Sequence, residues 1–170
     1  MNYTMVAGSL YDKHKNKMFV HIKSRFVGPE KKILSADGEL LLQSDIRSET
    51  GDARYTEYVL QDEKGNQCAI ARPDYAEGED PAEFGWPIYR MPKKDHAQVT
   101  MEGQEYCLVM QSSQKYTLAD QTGNIVLRIL HKGLIRGWNI EADDNFSPEI
   151  VCGIFIFCRY IEQEDEFIVV

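Results

Sequence analysis

One nine-residue pattern occurs twice in the chain and constrains its fold more than any other feature. Tyr58 begins the segment YVLQDEKGN, and Tyr116 begins the segment YTLADQTGN, 58 residues further on. Tyr, Leu, Asp, Gly and Asn occupy the same five of the nine positions in both. An apolar strand followed by Asp and then Gly is typical of a β-hairpin, because Asp hydrogen-bonds its own backbone and Gly adopts the positive φ that closes the turn. The repeat therefore predicts two hairpins of the same construction.

Return strands and further hairpins follow from the same pattern. Residues 68–71 (CAIA) and 125–130 (IVLRIL) are predicted to be the return strands. Residues 33–42 (ILSADGELLL) form a shorter variant, whose Asp-Gly pair suits a two-residue loop, and residues 99–110 (VTMEGQEYCLVM) form a fourth with a less favourable Glu-Gly turn. Many short strands separated by turns indicate a β-sandwich or a β-barrel.

Residues 17–26 alternate between apolar and basic side chains, which is the period of a half-buried strand. The apolar positions are Met18, Val20, Ile22 and Phe26. The basic positions are Lys17, His21, Lys23 and Arg25. We expect the two sets to lie on opposite faces of one strand.

Residues 74–86 (DYAEGEDPAEFGW) are rich in Gly, Pro and acidic residues, and we expect them to form a long surface loop. Trp86 and Trp138 are both expected to pack against other residues. No stretch has the composition of a linker, so residues 1–170 are expected to form a single domain.

The apolar segment of residues 150–161, which only Arg159 interrupts, can be assigned in two ways. Its Ile, Val and Phe content favours a strand. The preceding Ser147-Pro148-Glu149 favours a helix start, because Ser caps, Pro suits the first position and Glu complements the helix dipole. A helix here would be apolar on every side and therefore buried all round. The segment is shorter than the roughly 20 residues of a membrane span, so no transmembrane segment is expected.

The side chains that usually carry chemistry show no recognisable arrangement. Cys68, Cys107, Cys152 and Cys158 lie in apolar runs without zinc-site spacing, so we expect free thiols, no bound metal and a reducing, cytoplasmic location. The first residues lack the pattern of a secretory signal. Motifs of hydrolases, nucleotide-binding proteins and zinc proteases are missing, so we expect neither enzymatic activity nor a cofactor.

Taken together, the repeated YVLQDEKGNQCAIA and YTLADQTGNIVLRI hairpins and the SPEIVCGIFIFCRYI terminus resemble the tubby C-terminal-like superfamily, over residues 17–161. This group includes the LURP-one-related proteins and the phospholipid scramblases. The resemblance implies a mainly β fold, an antiparallel closed barrel of about twelve strands around a buried hydrophobic C-terminal α-helix. It also implies binding of membranes or partners, since tubby proteins hold a phosphoinositide head group with basic side chains on adjacent strands. The proline-rich and palmitoylated cysteine motifs of scramblases do not occur here.

Charge is distributed unevenly along the chain. The 19 Lys and Arg and 27 Asp and Glu give a net charge of −8, so general nucleic-acid binding is not expected. Residues 1–36 nevertheless carry seven basic and two acidic residues, a net +5, which leaves −13 for the remainder. The candidate ligand-binding residues are His21, Lys23, Arg25, Lys31 and Lys32.

Two functions remain open at this point. The basic cluster favours a non-enzymatic, cytoplasmic binding domain, peripheral at the membrane, for an anionic lipid head group or a phosphorylated ligand. The same cluster is also typical of a solvated strand face that deters edge pairing. In that case the chain would be a protein-interaction or structural module without a small ligand, with residues 74–98 as its partner surface.

Overall fold

The computed structural model describes residues 1–24, 28–48, 56–133 and 137–165, with side chains as far as residue 163. Twelve strands and two helices lie within these residues. The strands are β1 (Asn2–Val6), β2 (Ser9–Asp12), β3 (Met18–Ser24), β4 (Lys31–Ser35), β5 (Leu40–Ser48), β6 (Thr56–Asp62), β7 (Gln67–Tyr75), β8 (Lys94–Met101), β9 (Gln104–Ser112), β10 (Lys115–Asp120), β11 (Ile125–His131) and β12 (Trp138–Ala142). The helices are α1 (Pro81–Phe84) and α2 (Pro148–Asp165).

The strands form one closed antiparallel barrel in which each strand pairs with its neighbours in sequence. The seam joins β1 to β12, from Asn2 opposite Glu141 to Met5 opposite Trp138. Closure leaves no strand of the barrel with an unpaired edge, which removes the usual template for edge-to-edge association. The predicted mainly β barrel of about twelve strands is confirmed.

The two repeated hairpins are built alike, as predicted. Asp62 accepts a backbone hydrogen bond from Gly65 at 3.1 Å, and its side chain accepts others from the Lys64 and Asn66 amides at 2.9 and 2.8 Å. Asp120 accepts from Gly123 at 3.0 Å in the same way. Gly65 and Gly123 have φ values of 84° and 85°, which explains why glycine stands at this position. Hydrogen bonding to the Asn66 side chain lowers the pKa of Asp62.

The predicted two-residue loop at Asp37-Gly38 is wrong. Ser35 accepts a hydrogen bond from Gly38 at 3.0 Å and donates to Glu39 at 2.8 Å, so the chain reverses over three residues as it does after Asp62. A type I turn followed by glycine at positive φ produces this geometry. The predicted Glu102-Gly103 turn does have two residues. In forming it, Glu102 adopts a positive φ of 50°, which is strained for a residue other than glycine.

Residues 74–86 are only partly a loop. Asp74 and Tyr75 still belong to β7, and Pro81–Phe84 forms the short helix α1, capped by the Asp80 side chain. Trp138 packs as predicted, with its ring centroid 5.5 Å from that of Phe155. The prediction for Trp86 is wrong, because 57% of this residue is exposed.

The ambiguous C-terminal segment is a helix, and it fills the barrel. Residues 151–158 are all buried, as a helix that is apolar on every side requires. Phe157 packs against the Tyr58 ring, with centroids 6.0 Å apart, and Gly153 leaves room for the Leu60 side chain. An eight-stranded barrel is filled by its own side chains, whereas a twelve-stranded one is wider and leaves space at its axis. α2 occupies that space.

α2 gives the barrel two distinguishable ends. At the amino end, where α2 begins, lie the hairpin turns that follow β2, β4, β6, β8 and β10. At the carboxyl end, where α2 finishes, lie the connections from β3 to β4 and from β7 to β8. The amino end carries the repeated Asp turns, and the carboxyl end carries most of the predicted basic residues.

Candidate functional site

The basic residues of β3 and β4 are set side by side by the antiparallel register of the two strands. Lys23 lies directly opposite Lys32, and Ser24 lies directly opposite Lys31. Neighbouring positions point to opposite faces of a sheet. Since Ile33 is fully buried, Lys32 and its partner Lys23 face outward, whereas Lys31 faces the barrel interior near its carboxyl end.

The outer pair consists of two like charges on adjacent strands. Directly opposed side chains have Cβ atoms about 4.5–5.5 Å apart, and like charges in that position are destabilising. No carboxylate in the described part of the chain forms an ion pair with Lys23 or Lys32. The two ammonium groups therefore form a local positive site on a protein of net charge −8.

Lys31 forms a second positive point on the rim of the same strands. Its Nζ donates to the Ser24 hydroxyl at 3.2 Å. Burial lowers the pKa of Lys31, and the Arg159 guanidinium of α2 lowers it further. Arg159 in turn pairs with Glu162 and lies 5.7 Å from the centroid of the Trp138 ring.

A buried tyrosine fixes this rim to the end of α2. The Tyr160 hydroxyl donates to the Pro29 carbonyl oxygen at 2.6 Å and lies 2.9 Å from the Ser44 hydroxyl. Pro29 belongs to the β3–β4 connection and Ser44 belongs to β5. The Tyr160 hydroxyl therefore joins α2 to both of them. Burial raises the pKa of Tyr160 to about 12, so this hydroxyl stays protonated to a higher pH than an exposed tyrosine does.

The five predicted residues are only partly brought together. His21 lies on the outer face with Lys23, as predicted, but its Nδ1 is 2.8 Å from the buried Ser9 hydroxyl. Lys23 and Lys32 are adjacent, and Lys31 is turned to the other face of the sheet. Arg25 lies outside the described residues. The register that opposes Lys23 to Lys32 could not be read from the sequence, because it depends on the length and shape of the connection between them.

A cavity of about 810 Å³ at the amino end was missed in the sequence. Its lining includes Gln67, Cys68, Tyr106, Asp120, Phe146 and Glu149. The repeat offered a signal, since the turns after β6 and β10 border this same opening. Burial raises the pKa of Cys68, so its thiol is a weak nucleophile. The carboxylates at this opening repel anions, in contrast to the β3–β4 face.

The described residues contain no cluster of three or more His, Cys, Asp or Glu side chains placed to hold a metal ion. Nor does any helix among them have the length and apolar character needed to cross a bilayer.

No model of a known protein family matches the chain, and no curated protein matches it. An X-ray structure of a protein from Arabidopsis thaliana matches at 12% sequence identity and a TM-score of 0.42, over 95% of this chain and 90% of that one. The match thus covers most of both chains.

Proposed function

We propose that the chain is a non-enzymatic binding domain that holds a phosphate-bearing, anionic ligand on the outer face of β3 and β4. The observation that carries this proposal is the direct opposition of Lys23 and Lys32 without a carboxylate partner among the described residues. An acidic lipid head group is the ligand that suits the outer face of a sheet, on which the Lys23 side chain is exposed.

The like-charge pair favours a ligand for an energetic reason. In the free protein the two ammonium groups repel each other across the strands. A phosphate between them accepts charge-assisted hydrogen bonds from both and turns the repulsion into attraction. Lys31 and Ser24 lie one position further along the strands and face the other side of the sheet, so the proposed contact with the phosphate is made by Lys23 and Lys32.

The resemblance to the tubby C-terminal-like superfamily supports this proposal. A twelve-stranded barrel around a buried helix is the architecture that the resemblance implies. The adjacent strands β3 and β4 are the kind of platform on which tubby proteins hold a head group. In this proposal the protein works in the cytoplasm, peripherally at a membrane surface.

Vesicle co-sedimentation tests the proposal. Phosphatidylcholine vesicles with and without phosphatidylserine and a phosphoinositide are pelleted with the wild type and with a Lys23→Gln/Lys32→Gln variant. Each lysine near an acidic surface contributes about 1 kcal/mol, so the double variant should bind about 30-fold more weakly. Binding of the wild type should also weaken as salt rises.

The chain offers a matched control for charge. Lys13 and Lys64 lie in turns at the amino end, so Lys13→Gln/Lys64→Gln changes the net charge equally but at the opposite end of the barrel from Lys23 and Lys32. It should retain nearly full binding. Equal losses in both variants, or no pelleting at low ionic strength, would refute the lipid proposal. Competition by a soluble inositol phosphate distinguishes recognition of the phosphate from recognition of the bilayer.

A further inference from the structure

We propose that the β7–β8 connection is a docking loop for a protein partner that offers an apolar groove flanked by Lys and Arg side chains. The docking loop is defined here as residues 79–90. It lies at the carboxyl end of the barrel, on a connection separate from the β3–β4 face. The inference therefore does not depend on the proposed function.

The docking loop concentrates exposed apolar surface. Phe84, Trp86, Ile88 and Tyr89 are 64%, 57%, 86% and 93% exposed. Of the seven large hydrophobic residues that are exposed among those described, these four fall within six positions. Single exposed hydrophobic residues are ordinary, whereas a contiguous group marks an interaction site.

The base of the loop is closed by a carboxylate clasp, so the apolar residues are held and not loose. Arg90 donates two hydrogen bonds to Glu79, each 2.6 Å long. The Glu79 carboxylate also accepts from the Lys93 amide at 3.1 Å, and Ala76 donates to the Lys93 carbonyl at 2.9 Å. A bidentate Arg–carboxylate pair fixes geometry as well as charge.

Local features inside the loop restrict it further. The Asp80 side chain accepts from the Ala82 amide at 2.8 Å and so caps α1, and Pro81 and Pro87 fix their own φ angles. A segment ordered before binding loses less conformational entropy when it binds. Trp and Tyr are also the residues that most often dominate the energy of protein interfaces. The loop therefore presents a preformed aromatic anchor.

Charge around the anchor selects the partner. Residues 74–96 hold six acidic side chains against Arg90, Lys93 and Lys94, a net charge of −3. Arg90 is engaged by Glu79, and Glu77 and Glu83 are exposed on the same connection as the apolar group. An anionic membrane would be repelled by these carboxylates, whereas Lys and Arg on a protein groove would complement them. The occupant is therefore a protein with a basic rim.

The test uses the full chain and a randomised peptide library displayed on phage. Enriched peptides that combine apolar residues with Lys or Arg, and that bind in fluorescence anisotropy, support the proposal. A Trp86→Ala/Tyr89→Ala variant should bind them at least about 30-fold more weakly. The matched control is Ile125→Ala/Leu130→Ala, which removes exposed apolar residues from β11 and should leave binding unchanged.

Charge reversal and two alternative occupants complete the test. Glu77→Lys/Glu83→Lys should lose the basic peptides and enrich acidic ones. Failure to enrich any peptide, or binding that survives loss of Trp86 and Tyr89, overturns the proposal. A blue shift of Trp86 emission with phosphatidylcholine vesicles would instead indicate a membrane as the occupant and would overturn the proposal. Self-association in sedimentation velocity that Trp86→Ala abolishes would indicate a second copy of the chain and would also overturn it. The Lys23→Gln/Lys32→Gln variant should keep peptide binding, which separates this proposal from the lipid proposal.

Discussion

The position of α2 at the centre of the barrel predicts a large, local sensitivity to truncation of its side chains. Phe157 is fully buried and packs against Tyr58 of β6. The Phe157→Ala substitution removes the ring from a space enclosed by the sheet on all sides. A closed sheet cannot collapse around the void as two loosely packed layers can, so the penalty should lie within the range of about 3–5 kcal/mol observed for buried Phe.

The matched control is Phe84→Ala, the same chemical change at a residue that is 64% exposed. Surface substitutions of this kind stay within about 0.5 kcal/mol. For a domain of this size each kcal/mol shifts Tm by about 2–4 °C, so Phe157→Ala should lower Tm by about 6–20 °C while Phe84→Ala leaves it nearly unchanged.

Urea unfolding monitored by circular dichroism and by Trp138 fluorescence measures both variants. The urea midpoint should fall for Phe157→Ala with an unchanged m-value. Unfolding of the variant exposes the same surface as unfolding of the wild type, apart from one side chain. Equal midpoints for the two variants would show that α2 does not contribute to the cooperative core. A fall in m-value would instead indicate that the native state had loosened, and it would refute the argument from a rigid enclosure.

Three further predictions address other contacts. Tyr160→Phe should lower the free energy of unfolding by about 1–3 kcal/mol, because Ser44 and the Pro29 carbonyl lose a hydrogen-bond partner. Tyr89→Phe, at an exposed site, is the control. Equal urea midpoints for the two variants would contradict this role of Tyr160. Arg90 holds the pKa of Glu79 near 2 against an ordinary 4.5, so the stabilisation that Glu79 gives is complete above pH 4.5 and disappears as pH falls through about 2. The difference in urea midpoint between wild type and Glu79→Gln should follow that course, and a difference already lost at pH 4.5 would disprove the clasp. Cys152 and Cys158 are fully buried with raised thiol pKa values, so iodoacetamide should modify them only after unfolding, as mass spectrometry of native and urea-treated protein would show.

The features that local chemistry determines were predictable from the sequence. The Asp62 and Asp120 turns depend on hydrogen bonds within five residues, so their residue pattern alone identifies them. The Asp37 turn was assigned one residue too short, because Asp-Gly is compatible with both loop lengths and the choice depends on how β4 and β5 pair. Alternation also placed His21 and Lys23 correctly on one face of β3.

Features that depend on distant parts of the chain were not predictable from the residues themselves. The propensities of Ile154 and Phe155 favour a strand and the Ser147-Pro148-Glu149 start favours a helix, and enclosure by the sheet decides between the two. The direct opposition of Lys23 and Lys32 follows from the register between β3 and β4, which no local pattern reveals. Trp86 was expected to pack because aromatic residues usually do, and its exposure results from where the clasp between Glu79 and Arg90 holds the loop.

The enclosed helix also sets a condition on synthesis of the protein. The ribosome adds about 5–20 residues per second, so roughly 7–30 s pass between the synthesis of β1 and that of α2. Throughout that interval β1 lacks its partner β12, and the inward faces of the strands lack the helix that covers them. Unpaired edges and exposed apolar faces favour association with other chains. We therefore expect the nascent chain to need protection until α2 has left the ribosome, after which the barrel can close in a single late step.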